Sequence, residues 1–187
     1  MQKAQLRKVY SDKRKRISKQ ELEALSTALL KNFKQLDFSE IKTLHIFLPI
    51  ETKNEPNTFL FIDWLCANHP NIKIIVPRTD FQTSLMTNHT YKGTDGLKKN
   101  IFDILEPQKE EIHTGDIDLV VIPLLCFDKS GFRVGYGKGF YDRFLQGIKT
   151  QKVGLSLFDE VVEIDDVDEF DVAMDICITP GRIVAFQ

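Results

Sequence analysis

Apolar positions recur with a helical period near the start of the chain. Residues 2–16 predict a charged helix, and Ser-Lys-Gln-Glu at 18–21 has the form of a capping box that begins a second helix. The apolar positions of this second helix fall on one face: Leu22, Leu25, Leu29, Leu30, Phe33 and Leu36. The pattern therefore predicts two consecutive helices, of which the second is amphipathic.

Further along, the apolar residues gather in short runs that predict buried strands. Helices are predicted at 58–67 and from about Phe140 to Ile148. Residues 92–116 form a long irregular connection, whose length is typical of a functional loop. The predicted strands are 44–48, 72–76, 85–91, 119–122, 152–157 and 176–178.

Short apolar strands that alternate with helices predict an α/β fold. Since 187 residues suit one domain, we expect a single domain over residues 1–187. It would be a three-layer sandwich, with a mostly parallel central sheet flanked by helices. Ligands of such sheets bind at the carboxyl ends of the strands, where this chain carries Glu55, Arg78 and the segment 123–139.

The net charge of -2 provides no overall basic field that would attract nucleic acid, so no nucleic-acid partner is expected. The start of the chain departs from this balance. A solvated helix face is the simpler interpretation of its basic cluster, and an anion-binding site is the functional one. The cluster opposes only Asp12 and consists of Lys3, Arg7, Lys8, Lys13, Arg14, Lys15 and Arg16.

Three widely spaced cysteines indicate buried free thiols in a reducing compartment. Cys126 lies within an apolar run, so we expect it to pack rather than to act as a nucleophile. The four histidines lack metal-ligand spacing and are expected to have no catalytic role. Because neither a signal peptide nor a transmembrane segment is visible, a cytoplasmic protein without a membrane partner is expected.

The most informative segment is the glycine-rich turn that precedes the helix at Phe140. Gly135, Gly137 and Gly139 alternate, and glycines let backbone amides approach phosphate oxygens closely. Arg133 and Lys138 would add positive charge, and Asp142 would be suited to hold Mg²⁺ against bound phosphate. The segment matches neither the P-loop pattern nor the dinucleotide fingerprint. A turn that only reverses the chain is the alternative.

The string G-F-R-V-G-Y-G-K-G-F-Y-D-R-F-L at 131–145 resembles the signature of 5-formyltetrahydrofolate cyclo-ligases, G-x-R-[LIV]-G-x-G-x-G-[FY]-Y-D-x-[FY]-L. The preceding V-I-P-L-L-C-F-D resembles an apolar strand of that family. Lys3 and Arg7 fit its early K-x-x-x-R, E-P-N-T at 55–58 takes the place of its E-[IV]-[DE]-T motif, and V-P-R at 76–78 that of its I-P-R. The resemblance covers essentially the whole chain.

The resemblance implies a set of site residues. Glu55, Arg133 and Lys138 would be catalytic, and Asp142 and Asp171 would hold Mg²⁺. Folate would contact Leu48, Glu55, Phe102, Tyr136, Gly137, Lys138, Gly139 and Phe140. ATP would contact Lys3, Ala4, Gln5, Leu6, Arg7, Arg133, Val134, Gly135, Tyr136, Gly137, Lys138, Gly139, Phe140 and Tyr141.

The implied reaction converts 5-formyltetrahydrofolate, with or without a polyglutamate tail, and MgATP into 5,10-methenyltetrahydrofolate, ADP and phosphate. A monomer is expected. The chain departs from the family pattern at Thr79, where an aromatic residue is usual, and Phe102 takes the place of an aromatic that is often Trp.

Other functions remain compatible with the residues alone. A phosphosugar-type enzyme or transferase would also use a glycine loop and lysines, but would not need ATP. A non-catalytic nucleotide- or folate-binding protein would keep the loop without turnover. An RNA-binding module built on the basic first helix is disfavoured because the chain lacks an aromatic-basic surface pattern.

Overall fold

The computed structural model describes residues 1–108, 111–161 and 163–186. Two helices open the chain, α1 (Lys3–Lys15) and α2 (Lys19–Phe33). The Ser18 hydroxyl accepts a hydrogen bond from the Glu21 amide at 3.2 Å, which satisfies one of the amides left free at a helix start. The predicted start of α2 is therefore confirmed.

The remaining elements alternate between strands and shorter helices. A 3-10 turn (Glu51–Lys53) follows the first strand, and the later helices are α3 (Phe59–Asn68) and α4 (Phe140–Leu145). The strands in chain order are β1 (Thr43–Ile46), β2 (Lys73–Asp80), β3 (Leu85–Thr90), β4 (Leu97–Lys99), β5 (Leu105–Pro107), β6 (Ile112–His113), β7 (Leu119–Pro123), β8 (Cys126–Phe127), β9 (Arg133–Val134), β10 (Gln151–Leu155), β11 (Ile176–Ile178) and β12 (Ile183–Ala185).

An eight-stranded sheet forms the central layer, in the order β12-β11-β10-β7-β1-β2-β3-β6. The strands from β11 to β2 run parallel, and the pairs at the two edges are antiparallel. Alternate residues of β7 face different cores: Leu119 and Val121 pack with α2 and α3, whereas Val120 and Ile122 pack near α4. Helices thus cover both faces, which confirms the predicted α/β sandwich with a mostly parallel sheet.

Strand β2 is longer than predicted. It continues past Val76 to Asp80, because it forms an antiparallel hairpin with β3 in which Val76 pairs with His89 and Asp80 pairs with Leu85. Pro77 is tolerated there because the pairing of β2 with β1 ends at Ile75, so the part with the missing amide has only one neighbouring strand.

The prediction of an irregular connection over 92–116 was wrong in part. Strands β4 and β5 pair with each other in an antiparallel hairpin, and β6 pairs with β3 at the sheet edge. These strands span two or three residues each, which is too short to leave a readable alternation. The edge strand β12 was missed for the same reason.

Helix α4 is shorter than predicted, ending at Leu145 rather than near Ile148. Gly147 has a φ of +75°, a conformation that does not continue a right-handed helix. A few residues later the chain enters β10, which pairs in parallel with β7 from Gln151 onwards. The helix must therefore end before this strand begins.

The cysteines are free, as predicted, but only two are buried. Cys126 and Cys177 lie in the interior, whereas Cys66 is exposed on α3. Burial raises the pKa of the Cys126 thiol to about 12, so this thiol stays protonated at neutral pH. Among the described residues, no helix combines the length and apolarity that crossing a membrane requires.

Candidate active site

A cleft of about 940 Å³ opens where the carboxyl ends of β1, β2 and β7 meet. Helix α1 closes one side and the β4–β5 hairpin the other. Glu55 and parts of the segment 123–139 line the cleft, as the sequence predicted, whereas Arg78 lies within β2 and does not. Most of the predicted site residues line this cleft: Lys3, Arg7, Leu48, Glu55, Phe102, Asp171 and every residue from Arg133 to Asp142.

The glycine-rich loop follows β9 and approaches α1 closely. The Arg7 Nε donates a hydrogen bond to the Gly135 carbonyl at 2.9 Å. Gly137 has a φ of +85°, and a Cβ at this position would lie 3.0 Å from the Arg7 guanidinium carbon. The absence of a side chain thus serves both the left-handed backbone and the contact with α1.

Four charged side chains on the loop side of the cleft form two ion pairs. The Arg133 guanidinium donates to Asp142 Oδ1 at 2.7 Å, and the Lys3 ammonium pairs with Asp171. Arg133 is only 8% exposed. Burial lowers its pKa, while Asp142 and Asp171 raise it. Each predicted metal ligand is therefore paired with a predicted phosphate-binding cation.

The two predicted metal ligands are brought together by the segment that contains Asp171. The Val172 amide donates to Asp142 Oδ1 at 3.2 Å, and the Val172 carbonyl accepts from Arg133 at 2.5 Å. The described residues contain no group of three or more His, Cys, Asp or Glu that could hold a metal by themselves. Two carboxylates that share a metal with phosphate oxygens are nevertheless the usual arrangement for Mg²⁺. Asp142 and Asp171 fit that arrangement.

Glu55 also lines the cleft, and only 4% of it is exposed. Its Oε2 accepts a hydrogen bond from the Ile50 amide at 2.8 Å, which ties the carboxylate to the segment after β1. Burial raises the pKa of Glu55, and this effect is opposed by the charge of Arg14 and by hydrogen bonds from Ile50 and Tyr136. Glu55 is therefore a buried residue of the cleft and not a surface-loop glutamate.

An aromatic wall of Phe81, Phe102 and Phe140 faces the cleft. The ring centroids of Phe81 and Phe102 are 4.1 Å apart, and those of Phe81 and Phe140 are 5.2 Å apart with nearly perpendicular planes. Phe102 is 48% exposed, so part of its ring is open to a ligand. Such a wall suits a flat heteroaromatic ring.

Phe81 was missed in the sequence, although a signal was present. Thr79 stands where an aromatic residue was expected, and its hydroxyl donates to Glu106 at 2.6 Å. Phe81 lies in the turn directly after β2 and lines the same cleft as Thr79, so it supplies an aromatic side chain two residues from the expected position.

Residues 1–180 match the model of the 5-formyltetrahydrofolate cyclo-ligase family. This chain belongs to that family. A 5-formyltetrahydrofolate cyclo-ligase of Mycoplasma genitalium is 33% identical over 145 residues, covering 75% of this chain and 74% of that protein. The one of Escherichia coli K12 is 27% identical over 147 residues, covering 75% and 79%.

Solved structures of the family have the same fold. The 5,10-methenyltetrahydrofolate synthetase of Aquifex aeolicus superposes with a TM-score of 0.81 at 26% identity, covering 100% of this chain and 94% of that one. The enzyme of the same name from Mycoplasma pneumoniae gives 0.73 at 25% identity, covering 96% and 99%.

Three residues of the ATP set implied by the cyclo-ligase resemblance lie outside the cleft. Among the described residues, Ala4 and Gln5 are exposed and do not line it, and Leu6 is buried in a core cluster behind it. The helical period explains this, because residues 3 and 7 share a face of α1 from which the intervening positions point away.

Arg14 does not line the cleft itself but contacts Tyr136, which does, and it received no role from the cyclo-ligase pattern. It is buried on α1, and its guanidinium donates to the Tyr136 hydroxyl at 2.9 Å and to the Leu124 carbonyl at 2.5 Å. A helix repeats its face after seven residues, so the positions of Lys3 and Arg7 extend to Arg14. This spacing was the available signal.

Tyr141 is held from beneath by a histidine. His45 on β1 lies 3.1 Å from the Tyr141 hydroxyl through Nε2 and 2.8 Å from Asn88 through Nδ1. Burial lowers the pKa of His45 to about 4, so the ring is neutral at pH 7. His45 thus supports the fold of the cleft floor rather than binding a metal.

Proposed function

We propose that this chain converts 5-formyltetrahydrofolate and ATP into 5,10-methenyltetrahydrofolate, ADP and phosphate. One observation carries the proposal beyond family membership. A single cleft is lined by a glycine loop with paired cations, by a buried carboxyl group and by an aromatic wall. The loop and its cations suit a polyphosphate, and the carboxyl group and the aromatic wall suit a pterin.

The nucleotide would occupy the side of the glycine loop. Lys3, Arg7, Arg133 and Lys138 supply positive charge to phosphate oxygens, and the loop amides at 135–139 supply donors. The Lys138 side chain is exposed and lines the cleft, so it can swing towards a phosphate without breaking a buried contact. Val134, Tyr136, Phe140 and Tyr141 complete this wall.

We propose that Asp142 and Asp171 hold Mg²⁺ when MgATP binds. The metal would neutralise charge on the phosphate oxygens. Because both carboxylates are otherwise paired with Arg133 and Lys3, binding would exchange their partners: Asp142 and Asp171 would hold the cation, and the two basic side chains would be free to pair with the phosphates. No charge is left unpaired at either stage, which favours joint binding of metal and nucleotide.

The folate would occupy the opposite side. Leu48 and the aromatic wall contact the ring system, and Glu55 accepts hydrogen bonds from the pterin or the N10 region. A buried carboxylate in an apolar setting binds a hydrogen-bond donor strongly, because no water competes for it.

The chemistry explains why these residue types suffice. The formyl oxygen attacks the γ-phosphorus of ATP, ADP leaves, and the N5 substituent becomes an imidate phosphate. N10 then attacks the activated carbon, loses its proton and expels phosphate. Positioning and charge stabilisation by Arg133 and Lys138 lower the barrier to phosphoryl transfer, and Glu55 is placed to take the N10 proton. No enzyme nucleophile is required.

The first experiment is a spectrophotometric assay for the methenyl product with purified protein, 5-formyltetrahydrofolate and MgATP. Absorbance that rises only when ATP, Mg²⁺ and folate are all present supports the proposal. A folded protein that binds ATP without product would instead indicate the non-catalytic binder, and turnover of a sugar phosphate without ATP would indicate the phosphosugar enzyme.

The proposal extends to the oligomeric state and to the form of folate that is accepted. We propose a monomer that accepts polyglutamated as well as monoglutamated folate and has no nucleic-acid partner. Light scattering after size exclusion measures the mass in solution, and the same assay with folates of increasing tail length measures the preference.

A further inference from the structure

Helix α1 presents three cations to the glycine loop from one face. Lys3, Arg7 and Arg14 are separated by four and seven residues, so they lie in a row along the helix. Lys3 pairs with Asp171 and Arg7 binds the Gly135 carbonyl, both on the nucleotide side. Arg14, the last in the row, reaches the folate side, where it binds the Tyr136 hydroxyl.

Arg14 is an unusual residue to find in the interior. It is only 1% exposed, and its Nε has no hydrogen-bond partner among the described residues. Burying a cation costs free energy unless an anion compensates it. The buried anion nearby is Glu55, whose pKa the Arg14 charge lowers.

Tyr136 connects the two buried charges. Its hydroxyl accepts from Arg14 at 2.9 Å and lies within hydrogen-bonding reach of Glu55. Burial and the nearby carboxylate raise the pKa of Tyr136, so the phenol keeps its proton and can donate it to Glu55. The Lys53 ammonium lies 4.3 Å from the centroid of the Tyr136 ring, which holds the ring in place from the other side.

We infer that Arg14 is a positioning residue, which acts on Glu55 through the Tyr136 hydroxyl and orients that carboxyl group for the folate. The inference rests on the proposed function, because it assigns Glu55 to the folate. The other groups that face Glu55 are Lys53 from the 3-10 turn and Tyr141 from α4. Neither connects it to α1.

The direct test is carbon NMR of the Glu55 carboxyl during a pH titration of the ligand-free protein. Arg14→Met and Tyr136→Phe should each move the midpoint to higher pH by about one unit, because each removes an interaction that favours the charged form. Arg16→Met, which removes an exposed charge from the end of the same helix, should leave the midpoint unchanged. Unmoved midpoints in folded Arg14→Met and Tyr136→Phe proteins would overturn the inference.

Kinetics give the second readout. In Arg14→Met the acid limb of kcat/KM for folate should move to higher pH, and ATP affinity should stay within about twofold of wild type. In Tyr136→Phe the acid limb should move in the same direction. If Arg14 acts through Tyr136, the double variant should be no worse than the worse single variant. Additive losses would overturn the relay.

The two readouts separate this inference from the proposed function. If the variants shift the Glu55 midpoint but the wild-type protein shows no turnover, the relay is supported and the cyclo-ligase activity is refuted. Turnover with unmoved midpoints would support the activity and refute the relay.

Discussion

At the scale of single residues, four charged side chains on the loop side of the cleft are each paired with one of opposite charge. Arg133 pairs with Asp142, and Lys3 pairs with Asp171, so that buried or half-buried ions are neutralised in the absence of ligand. A substitution that removes one partner therefore has two effects, one on the reaction and one on the ion left behind. Variants that keep shape and hydrogen bonding separate the two.

Asp142→Asn should reduce turnover by about 100-fold or more, because it removes a proposed Mg²⁺ ligand and a negative charge. The amide oxygen can still accept from Arg133, so the variant should stay folded by circular dichroism. Product formation is measured with Asp116→Asn as the matched control, since Asp116 is exposed and outside the cleft. Full activity of Asp142→Asn would refute the metal assignment.

Glu55→Gln should raise KM for folate by about tenfold or more, the cost of losing a buried charged hydrogen bond. ATP affinity, measured by calorimetry, should change less than about twofold. Glu51→Gln is the control, because Glu51 is an exposed glutamate four residues away that pairs with Lys99. An equal loss of ATP and folate binding would contradict the placement of Glu55 on the folate side.

His45 should make stability depend on pH. Burial lowers its pKa from 6.5 to about 4 in the folded protein, so the unfolded chain binds more protons between these values. Its contribution is complete above about pH 6.5 and is lost as pH falls towards 4, by up to about 1.4 kcal/mol per pH unit. Urea unfolding of His45→Gln should show a weaker pH dependence in this range than that of the wild-type protein.

At the scale of elements, α1 carries cations for both sides of the cleft. Apolar contacts hold it there: Leu6 and Tyr10 pack with Leu125, Cys126 and Val134 around β8 and β9. The same helix therefore uses one set of positions for docking and a neighbouring set for ligands.

Leu6→Ala should destabilise the protein by about 2–4 kcal/mol, because the residue is fully buried and its loss leaves a cavity. Binding of both substrates should weaken together, since Lys3, Arg7 and Arg14 share the displaced helix. Val9→Ala, on the exposed side of α1, is the control. Denaturation and calorimetry measure the two effects, and an unchanged affinity in the destabilised variant would argue against docking by α1.

At the scale of the whole molecule, ligand binding joins parts that are distant in sequence. The proposed nucleotide side combines the first turn of α1, the loop at 133–142 and the segment around Asp171, all of which line the cleft. A ligand that contacts all three should stabilise the native state in proportion to its affinity and concentration.

MgATP should therefore raise the thermal midpoint by several degrees when it is present well above its dissociation constant. ATP without Mg²⁺ should have a clearly smaller effect, because the carboxylates of Asp142 and Asp171 would then face the phosphates without a cation. Equal shifts with and without Mg²⁺ in differential scanning fluorimetry would contradict the proposed exchange of ion-pair partners.

The sequence by itself determined the main elements, the glycine loop and the family. Helical periodicity located α1 and α2, apolar runs located the central strands, and the string at 131–145 identified the loop. These signals are local, because each is produced by the period or chemistry of a continuous segment. The sequence was less informative for β4, β5, β6 and β12, whose two or three residues show no period.

Only the tertiary structure decided which side chains act together. The exclusion of Ala4, Gln5 and Leu6 from the cleft and the place of Phe81 in the aromatic wall depend on how α1 and the β2–β3 hairpin pack. The link from Arg14 through Tyr136 to Glu55 spans residues far apart in the chain. Burial sets the protonation of such groups, and burial is a property of the packed molecule rather than of any segment.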